Sequence, residues 1–316
     1  MAPSRFFLFA CLLSPLAGDL YAQGHSRWHQ GFRIEVRNPV RSNDWVHLDL
    51  ADLNGDGEPE LLYADPYWHA GGARAETGRV MIFDGADGST LFQHAGLQSY
   101  ANYGWKAGFL DDLDGDGLPE IGTYRPFSTV ENPVQCEVLR GTNLRPLPLF
   151  TPEMTHATLL ADAGDVDADG VPDILVGDSL TSTGRRLYHG EAKVLSGATA
   201  GVLMHHTGLP GDRVGGLLQG LGDVDHDGHA DYLVGSLVMD RGSGKGLHLS
   251  ELRMFSGRDH SKQARFFARA QNANGARSVA VSPATATDGP TFAVIDPKQR
   301  AFRPMITRLY LFTYGP

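Results

Sequence analysis

The side chains best placed to do chemistry are acidic and recur in one spacing. They are Asp52, Asn54, Asp56 and Glu60; Asp112, Asp114, Asp116 and Glu120; Asp165, Asp167, Asp169 and Asp173; and Asp223, Asp225, Asp227 and Asp231. In each set the oxygen-bearing side chains stand at positions 1, 3, 5 and 9 of a loop, with Gly57, Gly117, Gly170 or Gly228 at position 6. Oxygen ligands at alternate positions, a glycine for the sharp turn and an acid shortly after suit a hard cation with flexible coordination. Ca2+ fits that description, and the loops predict up to four of them. Mg2+ demands tighter octahedral geometry, and Zn2+ prefers His or Cys ligands. Asp and Gly also favour turns without an ion, but four such loops would repel strongly with no cation among the carboxylates. Four Ca2+ would bring eight positive charges to a chain of formal charge −10.

An EF-hand would need a bidentate Glu at position 12 and flanking helices. Position 12 is instead Tyr63, Thr123, Val176 and Val234, within strand-like runs such as Ile174-Leu-Val-Gly177 and Tyr232-Leu-Val-Gly235. Each loop therefore joins two β-strands. The loops start 60, 53 and 58 residues apart. Around the first, strands are predicted over 45–50, 60–64, 78–83 and 90–94. Third strands follow at 136–139, 192–195 and 252–255, and fourth strands at 144–150, 201–207 and 262–268. Four antiparallel strands per repeat is the pattern of a propeller blade.

A fifth unit keeps the strands at 278–281, 291–295 and 307–312, with Asp288-Gly289 as the relic of its loop. It lacks a fourth strand, while the segment Gly31 to Arg37 supplies an unassigned one. The sequence therefore predicts an all-β fold, a β-propeller of five four-stranded blades closed by the N-terminal strand 31–37, which would leave no open sheet edge. The propeller spans 23–316, with units at 43–96, 97–150, 151–207, 208–270 and 271–316.

Composition agrees with this class. The 316 residues include 39 Gly and 18 Pro, more punctuation than a helical bundle tolerates. A charge of −10 without a basic run argues against nucleic acid, whose binding rests on Lys and Arg. Residues 1–22 read as a secretory signal peptide: a basic start at Arg5, the apolar run Phe6 to Leu13, a break at Pro15 and a small residue, Ala22. The run is too short to span a bilayer, so a secreted, extracellular or periplasmic protein with no transmembrane segment is expected. Leu8-Phe9-Ala10-Cys11 also mimics a lipid-attachment box. After cleavage Cys136 is the only cysteine, which excludes an intrachain disulfide; on a predicted third strand it reads as a buried filler with no assigned role.

The units resemble the FG-GAP repeats of integrin α propellers and of many exported bacterial proteins. The matching stretches are Tyr103-Gly104 and Val214-Gly215-Gly216 at the "FG" position and Gly164-Asp165-Val166 and Gly222-Asp223-Val224 leading into the loops. Val176-Gly177-Asp178-Ser179, Val234-Gly235-Ser236 and Ala64-Asp65-Pro66 stand where the family has Gly-Ala-Pro. The resemblance implies a propeller with calcium between strands 1 and 2 of a blade, on the face opposite the usual ligand surface. Integrin α propellers have seven blades, so their partner surface is not expected to transfer to about five.

The opposite face carries Tyr67, Trp68 and His69 with Arg74, Tyr124 and Arg125 with Phe127, Arg185 and Arg186 with Tyr188 and His189, and Arg241 with Lys245 and His248. Aromatic faces stack on sugar rings and Arg forks onto carboxylates, so a carbohydrate or an extracellular protein ligand is expected there. Packing of the same residues on neighbouring blades is the plain alternative. No HExxH, GxSxG, phosphate loop or paired Cys motif occurs, and no catalytic residue is assigned. The paired His205 and His206 sit on a predicted strand, where neighbours face opposite sides. A binding or adhesion module is the favoured reading; an extracellular polysaccharide lyase or hydrolase built from scattered loop residues is the alternative.

Overall fold

A computed structural model describes residues 47–69, 76–96, 98–125, 136–147, 159–185, 187–239, 248–270, 278–282, 291–298 and 306–313. The expected leader at 1–22 and closing strand at 31–37 lie outside them, as do Arg74, Arg186, Asp288 and Gly289. Every regular element among the described residues is a strand. The first sheet runs β1 (His47–Ala51), β2 (Glu60–Asp65), β3 (Arg79–Phe83), β4 (Thr90–Ala95), all neighbours antiparallel. The second is β5 (Lys106–Phe109), β6 (Ile121–Tyr124), β7 (Cys136–Leu139). The third is β8 (Leu159–Gly164), β9 (Asp173–Asp178), β10 (Glu191–Leu195), β11 (Val202–Thr207). The fourth is β12 (Val214–Gly222), β13 (Asp231–Met239), β14 (His248–Phe255), β15 (Lys262–Ala270). The last is β16 (Ser278–Ser282), β17 (Thr291–Lys298), β18 (Ile306–Thr313).

One expected strand is only begun among the described residues. Where 144–150 is expected as a fourth strand, 144–147 are described, and they pair with β7 through a bridge from Leu139 to Pro146 and the Leu147 N–H, which donates to the Val138 carbonyl at 2.8 Å. Pro146 has no N–H to give a ladder, and Pro148 follows two residues later. The other predicted strands that fall among the described residues form with ends shifted by a few residues, most in the fourth sheet, where the third strand begins at His248.

Side-chain alternation explains how the sheets pack. In the second sheet Ile121 and Leu139 face the first, joining Leu62, Ala64, Val80 and Ile82 in one core. Tyr124, Cys136 and Val138 face the third and meet Ile174, Val176 and Leu195. A third core sets Leu175, Ala192 and Val194 against Val214, Tyr232 and Val234. Inner strands are buried more than outer ones: β3 is buried throughout, while β4 is largely exposed. A sheet with apolar residues on both faces needs a neighbour on each side, and sheets stacked face to face in chain order are propeller-like. Cys136 is fully buried, and burial pushes its thiol far above the usual range.

Two devices set the joints between consecutive sheets. At the "FG" positions Gly78 forms a parallel bridge to Tyr103, and Gly190 one to Val214. Both glycines have positive φ, and a Cβ on either would collide with the facing backbone. At the first strands, Phe109 N–H donates to Asp49 Oδ2 at 2.8 Å, and Asp111 N–H donates to Asp162 Oδ1 at 2.7 Å. As expected, the adjacent histidines of β11 diverge: His205 lies 2.9 Å from Glu191, while buried His206 lies 3.0 Å from the Tyr232 hydroxyl.

Candidate metal centre

The four acidic loops close the β1–β2, β5–β6, β8–β9 and β12–β13 connections, and one hydrogen-bond pattern folds them all. The first carboxylate accepts N–H groups from the turn: Asp52 from Gly55 and Gly57, Asp112 from Gly115 and Gly117, Asp165 from Asp169 and Gly170, Asp223 from Asp227 and Gly228. The carboxylate at position 5 accepts the N–H two residues on, as Asp56 does from Glu58, Asp116 from Leu118, Asp169 from Val171 and Asp227 from His229. These are Asx turns, which Asp forms readily.

The acid at position 9 starts the second strand, or in the second loop immediately precedes it, and is fully buried at Glu60, Glu120, Asp173 and Asp231. It accepts the N–H at position 2: Leu53 at 2.5 Å, Leu113 at 2.5 Å, Val166 at 2.7 Å and Val224 at 3.0 Å. In the third and fourth loops its other oxygen accepts a glycine N–H from the hairpin after the third strand, Gly197 at 2.9 Å and Gly257 at 3.1 Å. In the first loop the Asn54 amide donates to Glu60 Oε1 at 3.1 Å. In the second, Glu120 Oε1 is buried without a hydrogen-bond partner.

Oxygens from Asp112, Asp114, Asp116 and Glu120 lie within 4.8 Å of one another, as do those of Asp165, Asp167 and Asp173 and of Asp223, Asp225 and Asp231. Asp169 and Asp227 stand outside these groups, serving their turns. In the first loop the neutral Asn54 donates to Asp56 at 3.0 Å as well as to Glu60, so an amide lies among its carboxylates. Burial pushes the Glu120 carboxyl up to about 7, with Asp112 and Asp116 adding to the effect against the Leu113 N–H. Burial raises Asp173 and Asp231 to about 6 against their backbone hydrogen bonds, and moves Glu60 upward as well. An orphaned buried carboxylate oxygen and crowded acids with raised affinity for protons suit a positive guest. The donors are all oxygen, which matches a hard cation. The loop histidines do not join them, for His229 Nδ1 lies 2.8 Å from the Val166 carbonyl.

At the other end of the sheets the residues of interest are dispersed. Trp68 lies over the Arg79 guanidinium at 4.9 Å, and Tyr67 meets Trp105 edge to face at 5.7 Å. Tyr67, Trp68 and His69 are half-buried. Tyr124 is part of a core, Arg125 is buried and paired with Glu137 at 2.6 Å, and His189 is buried. Tyr188 is exposed, with the Arg213 guanidinium 4.9 Å above its ring. Arg79 and Trp105 were not singled out from the sequence. Arg79 is nevertheless a charged residue at the head of an apolar run, Val80-Met-Ile-Phe83, and that is the legible signal.

The fold is all-β with stacked antiparallel sheets, and its loops gather carboxylates able to hold metal ions. No protein-family model matches the chain. Integrin alpha-IIb of Homo sapiens is 33% identical over 144 residues, covering 40% of this chain and 14% of that protein. Integrin alpha-V of Gallus gallus is 24% identical over 264 residues, covering 75% and 25%. Integrin alpha-5 of Xenopus laevis is 26% identical over 170 residues, covering 46% and 16%. The chain is thus similar to the integrin α chains over part of their length. It spans between 14% and 25% of the length of these relatives. A solved rhamnogalacturonan lyase aligns over 79% of this chain and 40% of its own at 14% identity, with a TM-score of 0.27 that carries no argument. No helix among the described residues is long and apolar enough to cross a membrane.

Proposed function

We propose that this chain is an exported, calcium-binding FG-GAP propeller that serves as a binding module for a carbohydrate or protein ligand outside the cytoplasm. In this reading the ring has five blades, the 31–37 segment completes the last, and Ca2+ at up to four loops fixes the hairpins at one end of the sheets. Asp52, Asn54, Asp56 and Glu60 and their counterparts in the other loops supply the ligands, with Asp169 and Asp227 joining once the ion draws them in.

The observation that carries the binding role lies at the opposite end. Arg79 is buried beneath Trp68, and its Nε and Nη2 have no hydrogen-bond partner. A guanidinium under an aromatic plane suits a ligand bearing a carboxylate and a flat or ring-shaped body, and the Tyr67–Trp105 pair adds aromatic surface from the residue next to Trp68. An acidic saccharide or an acidic protein segment has that chemistry. Tyr188 offers a second aromatic surface on the third unit.

The test is retention on immobilised acidic and neutral polysaccharides in calcium, with the soluble fraction assayed for released fragments. Retention on acidic material, lost in Trp68→Ala, is the expected result. Release of fragments would make the protein a lyase or hydrolase, and neither retention nor release would remove the saccharide reading.

A further inference from the structure

The four loops provide an internal comparison that singles out Arg140. Each repeat turns from its third to its fourth strand through a hairpin whose glycine is Gly85, Gly141, Gly197 or Gly257, and the residue before it is Asp84, Arg140, Ser196 or Ser256. Three of these four secure their own hairpin. Asp84 Oδ1 accepts the Ala86 N–H at 2.7 Å, Ser196 Oγ that of Thr199 at 3.3 Å, and Ser256 Oγ that of Arg258 at 3.3 Å. Arg140 instead reaches across to the second acidic loop, where its Nη1 donates to Asp114 Oδ2 in an ion pair.

The oxygen it takes matters. The position-3 side chain uses Oδ1 to hold its own turn: Asp56 N–H donates to Asn54 at 2.8 Å, Asp116 N–H to Asp114 at 3.3 Å and Asp169 N–H to Asp167 at 3.2 Å. Oδ2 is the atom left for a cation. In the third loop the position-3 carboxylate has no side-chain hydrogen bond among the described residues. In the fourth, Asp225 Oδ2 accepts only a neutral amide, Gln263 Nε2 at 2.9 Å. The second loop alone carries a full positive charge on that atom. It is also the loop whose buried Glu120 Oε1 has no close hydrogen-bond partner, the Gly141 N–H being the hairpin group that acts on this carboxyl.

We propose that Arg140 is an internal counter-cation of the second loop, which Ca2+ must displace from Asp114 Oδ2, so that this site binds more weakly and exchanges more readily than the third and fourth. The proposal rests on the reading of the loops as calcium sites. Charge count tunes calcium affinity in such loops, and a guanidinium on a ligand carboxylate both lowers the local negative charge and blocks one donor. On displacement Arg140, whose side chain is already 38% exposed, swings toward solvent. Calcium entry at this one loop is then coupled to release of the β7 hairpin.

The test is calorimetric titration of the calcium-stripped, full-length chain with CaCl2, comparing the wild type with Arg140→Ser, which copies the third and fourth repeats, and Arg140→Gln, which keeps length without charge. The expected result is an unchanged number of ions with one weak site tightened by about tenfold in both variants, the size of a partly exposed ion pair plus a nearby charge. Asp114→Asn in the Arg140→Ser background should undo the gain. Superimposable titrations of wild type and both variants, with calcium bound, would overturn the role of Arg140 and leave the calcium reading intact. Weaker binding in Arg140→Gln would overturn it too, by making Arg140 a support for Asp114. Absence of calcium uptake by every form would overturn the calcium reading together with this one.

Discussion

The buried carboxylate of Asp49, in the first strand of the first sheet, accepts the backbone N–H of Phe109, in the first strand of the second, at 2.8 Å. No ladder joins these two strands, so this side chain takes the place of a strand neighbour; at the next joint the sense is reversed, Asp162 of the third sheet reaching back to the Asp111 N–H at 2.7 Å. A charge-assisted hydrogen bond inside a joint is worth more than a surface one, and its loss leaves a buried N–H unsatisfied. Asp49→Ala should cost about 2 kcal/mol of stability, measured by denaturant unfolding. Asp49→Asn, which keeps an acceptor, should cost less. Equal stability for Asp49→Ala and wild type would remove this bond from the account of the joints.

Calcium should raise the melting temperature, because an ion that binds only the folded loops stabilises by mass action, about 2.7 kcal/mol per site at a hundredfold excess over the dissociation constant. The comparison is a thermal scan in calcium against one in chelator. Asp231→Asn should reduce the gain, since Asp231 also holds Val224 and Gly257 N–H at 3.0 and 3.1 Å.

Protons and calcium compete for the same oxygens. Burial raises Glu120 from 4.5 to about 7 and Asp173 and Asp231 from 3.8 to about 6 in the metal-free fold. A carboxyl raised in this way stabilises the fold below its unfolded value and loses that contribution as pH rises through its folded value. Calcium needs the ionised form, so its binding acts in the opposite sense. The calcium-dependent gain in melting temperature should therefore grow from about pH 5 to about pH 7.5, and a flat profile would contradict the assignment of these acids.

His206 gives a separate acid response. Its ring stacks on Phe255 at 4.1 Å, and burial first, then the nearby His260, Arg253 and His205, hold it down from 6.5 to about 4. A base depressed by folding contributes stability above its unfolded value and loses it as pH falls toward the folded one. Wild type should lose stability between pH 6.5 and about 4 more steeply than His206→Gln, read by urea unfolding across that range.

Much of the fold was legible because the repeat carries its own punctuation. The Asp-x-Asp-x-Asp-Gly loops fixed where each first hairpin turns, and apolar runs such as Ile174 to Val176 fixed the strand after it. Strand ends were legible only to within a few residues: the strand expected from Leu144 starts later, because Leu144 takes a positive φ in the hairpin turn, and pairing with β7 begins at Pro146 and Leu147. The carboxylate spacing announced the acidic clusters, but the long-range partners were hidden. Nothing local marks Asp49 as the acceptor for Phe109, sixty residues on. Arg140 was within reach of the sequence, since aligning the hairpins sets it against Asp84, Ser196 and Ser256. The aromatic loop residues looked alike in sequence, whereas the fold separates half-buried Trp68 and exposed Tyr188 from core-packed Tyr124. Burial of loop residues depends on the neighbouring sheet, which a single repeat does not record.

The most direct test of the account is the metal content of the folded chain. Protein dialysed to equilibrium against micromolar calcium and then analysed for metal should retain bound calcium, with magnesium in excess failing to displace it. Asp165→Asn combined with Asp223→Asn should lower the bound calcium by two ions. Protein that leaves dialysis free of calcium, folded and as stable as in its presence, would contradict the central claim that these loops are cation sites.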